Sequence, residues 1–212
     1  MKPLDLPSQS FMTFGGAYYY GYDAAEMIKN KIEGRTIFYP HEAGVMAQMI
    51  YDARHSDHVE IGTLFGASAI LVAMVKDRFS MHGNVYCVDP LEMRKVTLDD
   101  LGTGTKASSD LVMKNAECLG VADRIKIVLA PSYPWPLENK TFGTGYIDGD
   151  HWNGMPSKDW NNLKDRVKYG IIIDDYCIGK PEVQDVVMDA FNDPNWTLIQ
   201  IAGAMAFLRR RQ

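Results

Sequence analysis

Two stretches in the second half of the chain carry the residues best suited to do chemistry. Residues 146–151 read YIDGDH and residues 170–176 read GIIIDDY. Each is an apolar run typical of a strand that ends in carboxylates, which are Asp148, Asp150, Asp174 and Asp175. If the two strands are parallel neighbours, about 4.8 Å apart, at least three of these carboxylates converge at one sheet edge. Oxygen ligands of this kind suit Mg²⁺, Mn²⁺ or Ca²⁺, so the pattern predicts a divalent-cation site.

A second group of residues lies earlier in the chain. Residues 60–68 read EIGTLFGAS, a glycine-bearing turn between a predicted strand and a helix, and Asp89 ends the next predicted strand. Such a turn lets a nucleoside approach the backbone, and the acid can accept hydrogen bonds from both ribose hydroxyls. The G-x-G-x-x-G pattern is absent, and Glu60 would compete with a pyrophosphate for the helix N-terminus. Glu60 suits a ligand with an amino group and a sulfonium, so the turn predicts S-adenosylmethionine rather than a dinucleotide.

The segments that position these residues alternate between strand-like and helix-like patterns from about residue 58 onward. Strands are predicted at the two carboxylate-tipped stretches and at 58–62, 84–89, 125–130, 196–202 and 204–209. Helices are predicted near 66–76, 107–119, 156–168 and 181–191. This alternation indicates a parallel sheet with helices on both faces. Only Gly203 separates the last two strands, and a parallel crossover needs about a dozen residues, so these two strands are antiparallel.

The predicted fold is therefore an α/β, Rossmann-like, doubly wound sheet of seven strands, mostly parallel, with one antiparallel strand at the C-terminus. Residues 1–50 show weaker periodicity, with helices predicted around 24–28 and 41–51. They are predicted to form an N-terminal helical segment, either a lid over the C-terminal edge of the sheet or ordinary packing on its flank. The main domain is predicted at 51–212.

Length and composition set bounds on the function. The chain has 212 residues and a formal net charge of −5, which fits one globular domain without a basic surface for nucleic acid. Cys87, Cys118 and Cys177 are scattered, which indicates free thiols in a reducing cytosol and predicts a cytoplasmic protein. The N-terminus does not read as a signal peptide, and no apolar run approaches the roughly 18 residues of a membrane span. We therefore expect no membrane partner.

Taken in order, these motifs resemble the class I S-adenosylmethionine-dependent methyltransferases. The I-D-G-D-H strand end is similar to that of small O-methyltransferases, namely the metal-dependent catechol-type and macrolide-sugar enzymes. The resemblance covers roughly residues 40–210, which makes 51–212 the expected methyltransferase domain. Leu64 stands where the commonest methyltransferase turn has its middle glycine, a departure that this branch often shows. The resemblance implies methyl transfer to a hydroxyl of a small sugar or phenol-like acceptor, assisted by a divalent cation such as Mg²⁺, in a possible homodimer.

The same resemblance implies a role for each site residue. The residues expected to bind the cofactor are Glu60, Gly62, Thr63, Gly66, Ser68, Asp89, Ser132 and Asp148. Among them Asp89 takes the ribose and Ser132 contacts the adenine. The residues expected to bind the metal are Asp148, Asp174 and Asp175. The base that accepts the hydroxyl proton is expected to be either His151, three residues after the first metal ligand, or Asp150.

Three alternatives remain open from the sequence. The aspartates can cap a helix or end a strand without a metal, which leaves a metal-independent methyltransferase of the same fold. A nicotinamide-dependent oxidoreductase is disfavoured by the missing phosphate loop and by Glu60. A non-catalytic nucleoside-binding subunit is the third alternative. It is disfavoured because a protein that kept the fold but lost the activity has no reason to keep several carboxylates at one edge of the sheet.

Overall fold

The computed structural model describes residues 14–35, 38–91, 104–176 and 179–211. Within these ranges the chain forms six α-helices and seven strands. The helices are α1 (Gly16–Lys31), α2 (Pro40–Asp52), α3 (Ala67–Arg78), α4 (Ser109–Cys118), α5 (Met155–Leu163) and α6 (Pro181–Asn192). The strands are β1 (His58–Ile61), β2 (Val85–Val88), β3 (Ile125–Val128), β4 (Phe142–Ile147), β5 (Val167–Ile173), β6 (Trp196–Ala202) and β7 (Met205–Arg210).

The strands form one sheet in the order β3-β2-β1-β4-β5-β7-β6. Strands β1 to β5 pair in parallel, whereas β7 pairs antiparallel with both β5 and β6. This order confirms the predicted Rossmann-like sheet with a reversed strand at the C-terminal end of the chain. The reversal follows from the short turn at Gly203 and Ala204, which is too short for a crossover between parallel strands.

Helices cover both faces of the sheet, and successive strand residues point into two different hydrophobic clusters. On β5, Ile172 packs in the cluster that contains α1, α2 and α3, while Ile171 and Ile173 pack in the cluster that contains α5 and α6. Because both faces of this strand are buried, its side chains are apolar at successive positions instead of alternating. The apolar run that precedes Asp174 in the sequence is thus the mark of a central strand.

The N-terminal helices pack on one flank of the sheet. Met46 and Met49 of α2 are fully buried and share a cluster with Ile172 of β5. Helix α2 also continues to Asp52, past the predicted boundary after residue 50. This helix is therefore part of the core, while the lid proposed for residues 1–50 and the domain division stay predictions. The first 13 residues lie outside the described ranges.

Several element boundaries differ from the predictions. The helix predicted to extend to residue 168 ends at Leu163, because Val167 already pairs with Phe142 as the first residue of β5. Strand β4 begins at Phe142, upstream of the YIDGDH motif. Strand β3 ends at Val128 because the chain turns there, with the Ala130 N–H donating to the Val128 carbonyl at 2.8 Å.

In the part of the chain that the structure describes, no helix is both long enough and apolar enough to cross a membrane. Cys87 is buried and Cys118 is exposed, and neither forms a disulfide. Cys177 lies outside the described ranges. The cytoplasmic location and the homodimer stay predictions.

Candidate active site

The C-terminal ends of the central strands bring the predicted site residues to one edge of the sheet. Ile61 of β1 pairs with Ile147 of β4, which in turn pairs with Ile173 of β5. Beyond these positions the Asp148 N–H donates to the Ile61 carbonyl at 2.9 Å, and the Asp174 N–H donates to the Ile147 carbonyl at 3.0 Å. The aspartates that follow β4 and β5 therefore start from adjacent backbone positions, as the sequence predicts.

Two of the three predicted metal ligands converge with a histidine. Donor atoms of Asp148, His151 and Asp175 all lie within 4.8 Å of one another. His151 Nε2 is 3.1 Å from Asp175 Oδ2 and 3.6 Å from Asp148 Oδ1. This nitrogen is buried, and no residue in the described ranges forms an aligned hydrogen bond with it. Two carboxylates and an imidazole nitrogen around one point form a donor set that fits a divalent cation.

Asp175 reaches this cluster through a strained backbone conformation. Its φ of 60° lies in the left-handed region, which costs a residue with a side chain about 1–2 kcal/mol. Its N–H donates to Asp174 Oδ1 at 2.7 Å, and this bond holds the turn. A strained backbone conformation of this kind persists only where the surrounding structure holds the residue in place, and it is common at functional sites.

Asp174, the third predicted metal ligand, faces Tyr146. The Tyr146 hydroxyl donates to Asp174 Oδ2 at 2.5 Å and lies 3.4 Å from Asp148 Oδ2. Burial, followed by the neighbouring Asp148 carboxylate, raises the pKa of Asp174 to about 8. Burial also raises the pKa of Asp148. His151 therefore belongs to the cluster of three donor groups, whereas Asp174 does not, and the metal role of Asp174 stays a prediction.

Lys180 also belongs to this site, although no sequence motif pointed to it. Its Nζ is 2.8 Å from Asp175 Oδ2 and 2.9 Å from His151 Nδ1. An ammonium group only donates, so it donates to Nδ1 and leaves the ring proton of a neutral His151 on Nε2. The sequence could have indicated Lys180 only by its position, since this residue directly precedes Pro181, the first residue of α6. In an α/β sheet the helix that follows a strand begins at the edge where ligands bind.

The two candidate bases differ in their surroundings. One ring nitrogen of His151 faces Lys180 and the other faces the carboxylates, so His151 can accept a proton only when its bond with Lys180 opens. Asp150 is exposed, and its Oδ1 accepts a hydrogen bond from the Trp152 N–H at 3.1 Å. His151 lies within the cluster and Asp150 outside it. The catalytic role of each stays a prediction.

Asp89, from the neighbouring strand, holds the glycine turn that follows β1. Asp89 Oδ2 accepts hydrogen bonds from the N–H groups of Thr63 at 2.8 Å and Leu64 at 3.3 Å, and its Oδ1 accepts one from Leu91 at 2.9 Å. Leu64 has a φ of 49°, the left-handed geometry that a glycine adopts most easily, and Gly66 caps α3. Asp89 thus organises the turn, and its contact with a ribose stays a prediction.

Gly62 is the point at which this turn meets the end of β4. Its φ is +88°, and a Cβ at this position would lie 2.0 Å from the Asp148 carbonyl oxygen. We expect Gly62→Ala to lose about 1–2 kcal/mol of stability from the backbone conformation and about 1–3 kcal/mol more from the clash. Gly120→Ala is the matched control, since Gly120 has a φ of +73° and its Cβ would meet no described atom within 4 Å. Equal melting temperatures for the two variants would contradict this close approach.

Glu60 is fully buried next to the same turn. The Ser68 hydroxyl donates to Glu60 Oε2 at 2.8 Å, whereas Oε1 has no hydrogen-bond partner in the described part of the chain. Burial raises the pKa of Glu60 to about 7, and the bond from Ser68 offsets only part of this effect. A buried acceptor without a donor costs about 1–3 kcal/mol. Glu60 therefore fits a site whose ligand brings a cationic donor.

A small pocket opens beside the turn. Its walls come from the turn and the start of α3, from Tyr146 and Asp148 at the end of β4, and from Arg35 and Phe38 between α1 and α2. Of the residues predicted to bind the cofactor, the ones that line this pocket are Thr63, Ser68 and Asp148. The sequence predicted residues 1–50 as a lid or as packing on the flank, but it named no ligand-binding residue in the loop between α1 and α2, because that loop carries no motif.

Ser132, which was predicted to contact an adenine, forms hydrogen bonds with residues of α5. Its hydroxyl donates to Asp159 Oδ1 of α5 at 2.6 Å, and its carbonyl accepts a hydrogen bond from Asn162 Nδ2 at 2.8 Å. Burial raises the pKa of Asp159 to about 6. Ser132 is not among the residues that line the pocket beside the turn, so its adenine contact stays a prediction.

Comparisons with known proteins identify the family and the fold of the chain. A family model described as "Methyltransferase domain" matches residues 59–176, which run from β1 to the residue after the Asp174–Asp175 pair. No curated protein matches the chain by sequence.

Solved structures share the fold at low sequence identity. The O-methyltransferase NovP has a TM-score of 0.61 and 18% identity, over 89% of this chain and 80% of NovP. An O-methyltransferase from Bacillus cereus, in complex with S-adenosylhomocysteine, has a TM-score of 0.57 and 14% identity, over 94% and 93% of the two chains. The O-methyltransferase TomG from Streptomyces achromogenes, in complex with S-adenosylmethionine, has a TM-score of 0.60 and 11% identity, over 94% and 92%.

Proposed function

This chain belongs to the family of methyltransferase domains, and from that premise we propose that it transfers the methyl group of S-adenosylmethionine to a hydroxyl of a small sugar or phenol-like acceptor. The observation that carries the proposal is the position of Asp148. This residue lines the pocket beside the glycine turn and also belongs to the cluster with His151 and Asp175. A methyl donor in the pocket therefore meets the groups that can hold and deprotonate an acceptor.

The choice of cofactor is supported by the negative charges at and behind the pocket: Asp148 lines it, and Glu60 is buried behind Ser68. The methionine end of S-adenosylmethionine carries an ammonium group, which can donate to the unpartnered Oε1 of Glu60. The sulfonium adds a second positive charge near buried carboxylates. Two of the similar structures named above hold S-adenosylhomocysteine or S-adenosylmethionine, which supports the same cofactor here.

The transfer itself places simple demands on the chain. The acceptor oxygen must lie in line with the methyl–sulfur bond. Its lone pair forms the new bond to the methyl carbon, the bond from that carbon to sulfur breaks, and the electron pair stays on sulfur as S-adenosylhomocysteine forms. The hydroxyl proton passes to His151 or to Asp150. In the His151 route, Lys180 must first release Nδ1, because Nε2 carries the ring proton and cannot accept another.

A divalent cation fits the donor set of Asp148, His151 and Asp175, with Asp174 adjacent as the further predicted ligand. Carboxylates suit Mg²⁺ and Mn²⁺. Such an ion, when bound, lowers the pKa of a coordinated hydroxyl. The chain's own contribution is to hold the carboxylates together and to withdraw Lys180 from Asp175 and from His151 Nδ1, so that the ring proton can move to Nδ1 and leave Nε2 free to bind the ion.

A second candidate is a metal-independent methyltransferase with the same acceptor chemistry. The observation that favours it is Lys180, whose ammonium group already neutralises part of the carboxylate cluster. In this version Lys180 orients His151 and offsets the charge that a metal would otherwise balance.

Calorimetry and an acceptor panel test the proposal together. We expect S-adenosylhomocysteine to bind and NAD to show no binding, because the turn lacks the phosphate-binding pattern. We then expect release of S-adenosylhomocysteine from S-adenosylmethionine when hydroxylated acceptors are supplied, with and without Mg²⁺. Binding of NAD alone would favour an oxidoreductase, and binding of S-adenosylhomocysteine without turnover of any sugar or phenol would contradict the acceptor class.

A further inference from the structure

We propose that Arg35 binds the α-carboxylate of the cofactor's methionine moiety and makes the site prefer ligands that carry this group. This inference rests on the proposed function and deepens it. The residues that line the pocket include one cation, Arg35, and one anion, Asp148. A pocket with both charges matches a zwitterion, and the methionine end of S-adenosylmethionine is a zwitterion with an ammonium group and a carboxylate.

Asp148 in the pocket and Glu60, which is buried behind Ser68, suit the ammonium end only. Both are carboxylates, so neither can bind a second carboxylate without repulsion. Arg35 supplies the missing opposite charge. Its guanidinium presents paired N–H donors whose geometry matches a carboxylate, which a single ammonium group does not.

The segment that carries Arg35 is fixed to the glycine turn. Asn115 of α4 is 2% exposed, its Oδ1 accepts the Glu33 N–H at 2.9 Å, and its Nδ2 donates to the Glu33 carbonyl at 2.9 Å. The same Nδ2 donates to the Phe65 carbonyl within the turn at 3.0 Å. One buried side chain thus joins the loop between α1 and α2 to the turn of the pocket.

Gly34 brings the loop and the turn into contact. Its φ is +104°, and a Cβ at this position would lie 2.5 Å from the Phe65 ring, so the backbone packs directly on that ring. Arg35 is the next residue, and it lines the pocket at this point. It is exposed, and in the described part of the chain it makes no ion pair. Its charge is therefore available to a ligand.

The test compares two ligands that differ in one group. S-adenosylhomocysteine carries the α-carboxylate, and its decarboxylated analogue ends in a primary amine with the rest of the molecule unchanged. Isothermal calorimetry on the full chain should show the first binding at least about tenfold more tightly than the second, as a charge-assisted bidentate contact implies. In Arg35→Gln the affinity for S-adenosylhomocysteine should fall by about tenfold, while the affinity for the analogue stays the same.

Two further variants sharpen the result. Lys29→Gln removes the same charge from an exposed position on α1, and it should leave both affinities unchanged. Arg35→Lys keeps the positive charge but lacks the planar guanidinium with its paired N–H donors. Compared with Arg35→Gln, it should retain part of the preference for the carboxylate. Melting temperatures equal to that of the parent chain would establish that the variants are folded.

The outcomes separate this assignment from the proposed function. If Arg35→Gln weakens both ligands equally, or weakens neither, Arg35 does not recognise the carboxylate and the inference is wrong while the cofactor assignment stands. If the parent chain binds neither ligand, the proposed function itself is wrong, and this inference fails with it.

Discussion

Removal of divalent cations should lower turnover of a hydroxylated acceptor by at least about 100-fold. A bound cation lowers the pKa of the acceptor hydroxyl and so stabilises the transition state by several kcal/mol. Binding of S-adenosylhomocysteine should be nearly unchanged, since Glu60 lies outside the cluster of Asp148, His151 and Asp175. The measurement is steady-state release of S-adenosylhomocysteine before chelation, after chelation and after Mg²⁺ or Mn²⁺ is restored. Calorimetry on the same samples reports cofactor binding.

Replacement of Asp175 should reproduce the effect of chelation. Asp175→Asn keeps the size of the side chain but removes the charge that faces both His151 and Lys180. We expect a similar loss of turnover and weaker binding of Mn²⁺, measured directly by calorimetry. Asp185→Asn is the matched control, because it removes the same charge from an exposed position on α6.

Lys180 decides what a negative result would mean. If the enzyme stays fully active in excess chelator, the metal-dependent proposal is wrong. Loss of activity in Lys180→Met under the same conditions would then support the metal-independent alternative, in which the ammonium group near Asp175 balances the carboxylates. In a metal-dependent enzyme Lys180→Met should instead strengthen Mn²⁺ binding, since a competing cation has been removed.

The second large effect concerns pH, and it arises from Glu60. Burial raises the pKa of Glu60 from its usual value of 4.5 to about 7, so the ligand-free site holds this side chain largely neutral below pH 7. A cationic ligand favours the ionised form and should release a proton on binding. Affinity for S-adenosylhomocysteine should therefore rise between about pH 5.5 and pH 8, by about tenfold for each unit by which the ligand lowers this pKa.

The stability of the ligand-free protein should change in the opposite direction. A carboxyl group with a raised pKa in the folded state stabilises that state fully below its unfolded pKa, near 4.5. This contribution is lost as the pH rises through about 7. The melting temperature of the free chain should thus fall over this range, and saturating S-adenosylhomocysteine should reduce the fall.

Glu60→Gln isolates this effect from other groups that titrate nearby. The pKa of Asp174 is also raised, to about 8, so the parent chain alone would not identify the group responsible. In Glu60→Gln the affinity for S-adenosylhomocysteine should be at least about tenfold lower at pH 8, because a charge-assisted hydrogen bond is lost. Proton release, measured by calorimetry in buffers of different ionisation enthalpy, should decrease. An unchanged pH profile would show that Glu60 does not face the cofactor.

The sequence by itself determined the fold and the edge of the sheet at which the site lies. Alternating segments from His58 onward predict a parallel sheet with helices on both faces, and the short turn at Gly203 predicts the reversal at its end. The carboxylates after β4 and β5 then follow at one edge, because the carboxyl ends of parallel neighbours always meet there. These features depend on local pattern and chain connectivity, which a sequence states directly.

Only the tertiary structure decided which side chains share the site. Asp174 and Asp175 are adjacent in sequence, yet one bonds to Tyr146 and the other, through its left-handed φ, turns toward His151. Backbone angles and partners of this kind depend on the packing of several strands at once, so the order of residues alone could not show which side chains form this cluster.

The same limit applies to Arg35 and Lys180, which come from two loops far apart in the chain. Neither belongs to a motif, and each reaches the site because another element holds its loop: Asn115 fixes the segment before Arg35, and the start of α6 places Lys180. Contacts between residues distant in sequence form when the helices pack on the sheet. That packing leaves no periodicity in the loops themselves, and for this reason the charges of Arg35 and Lys180 at the site became visible only in the folded chain.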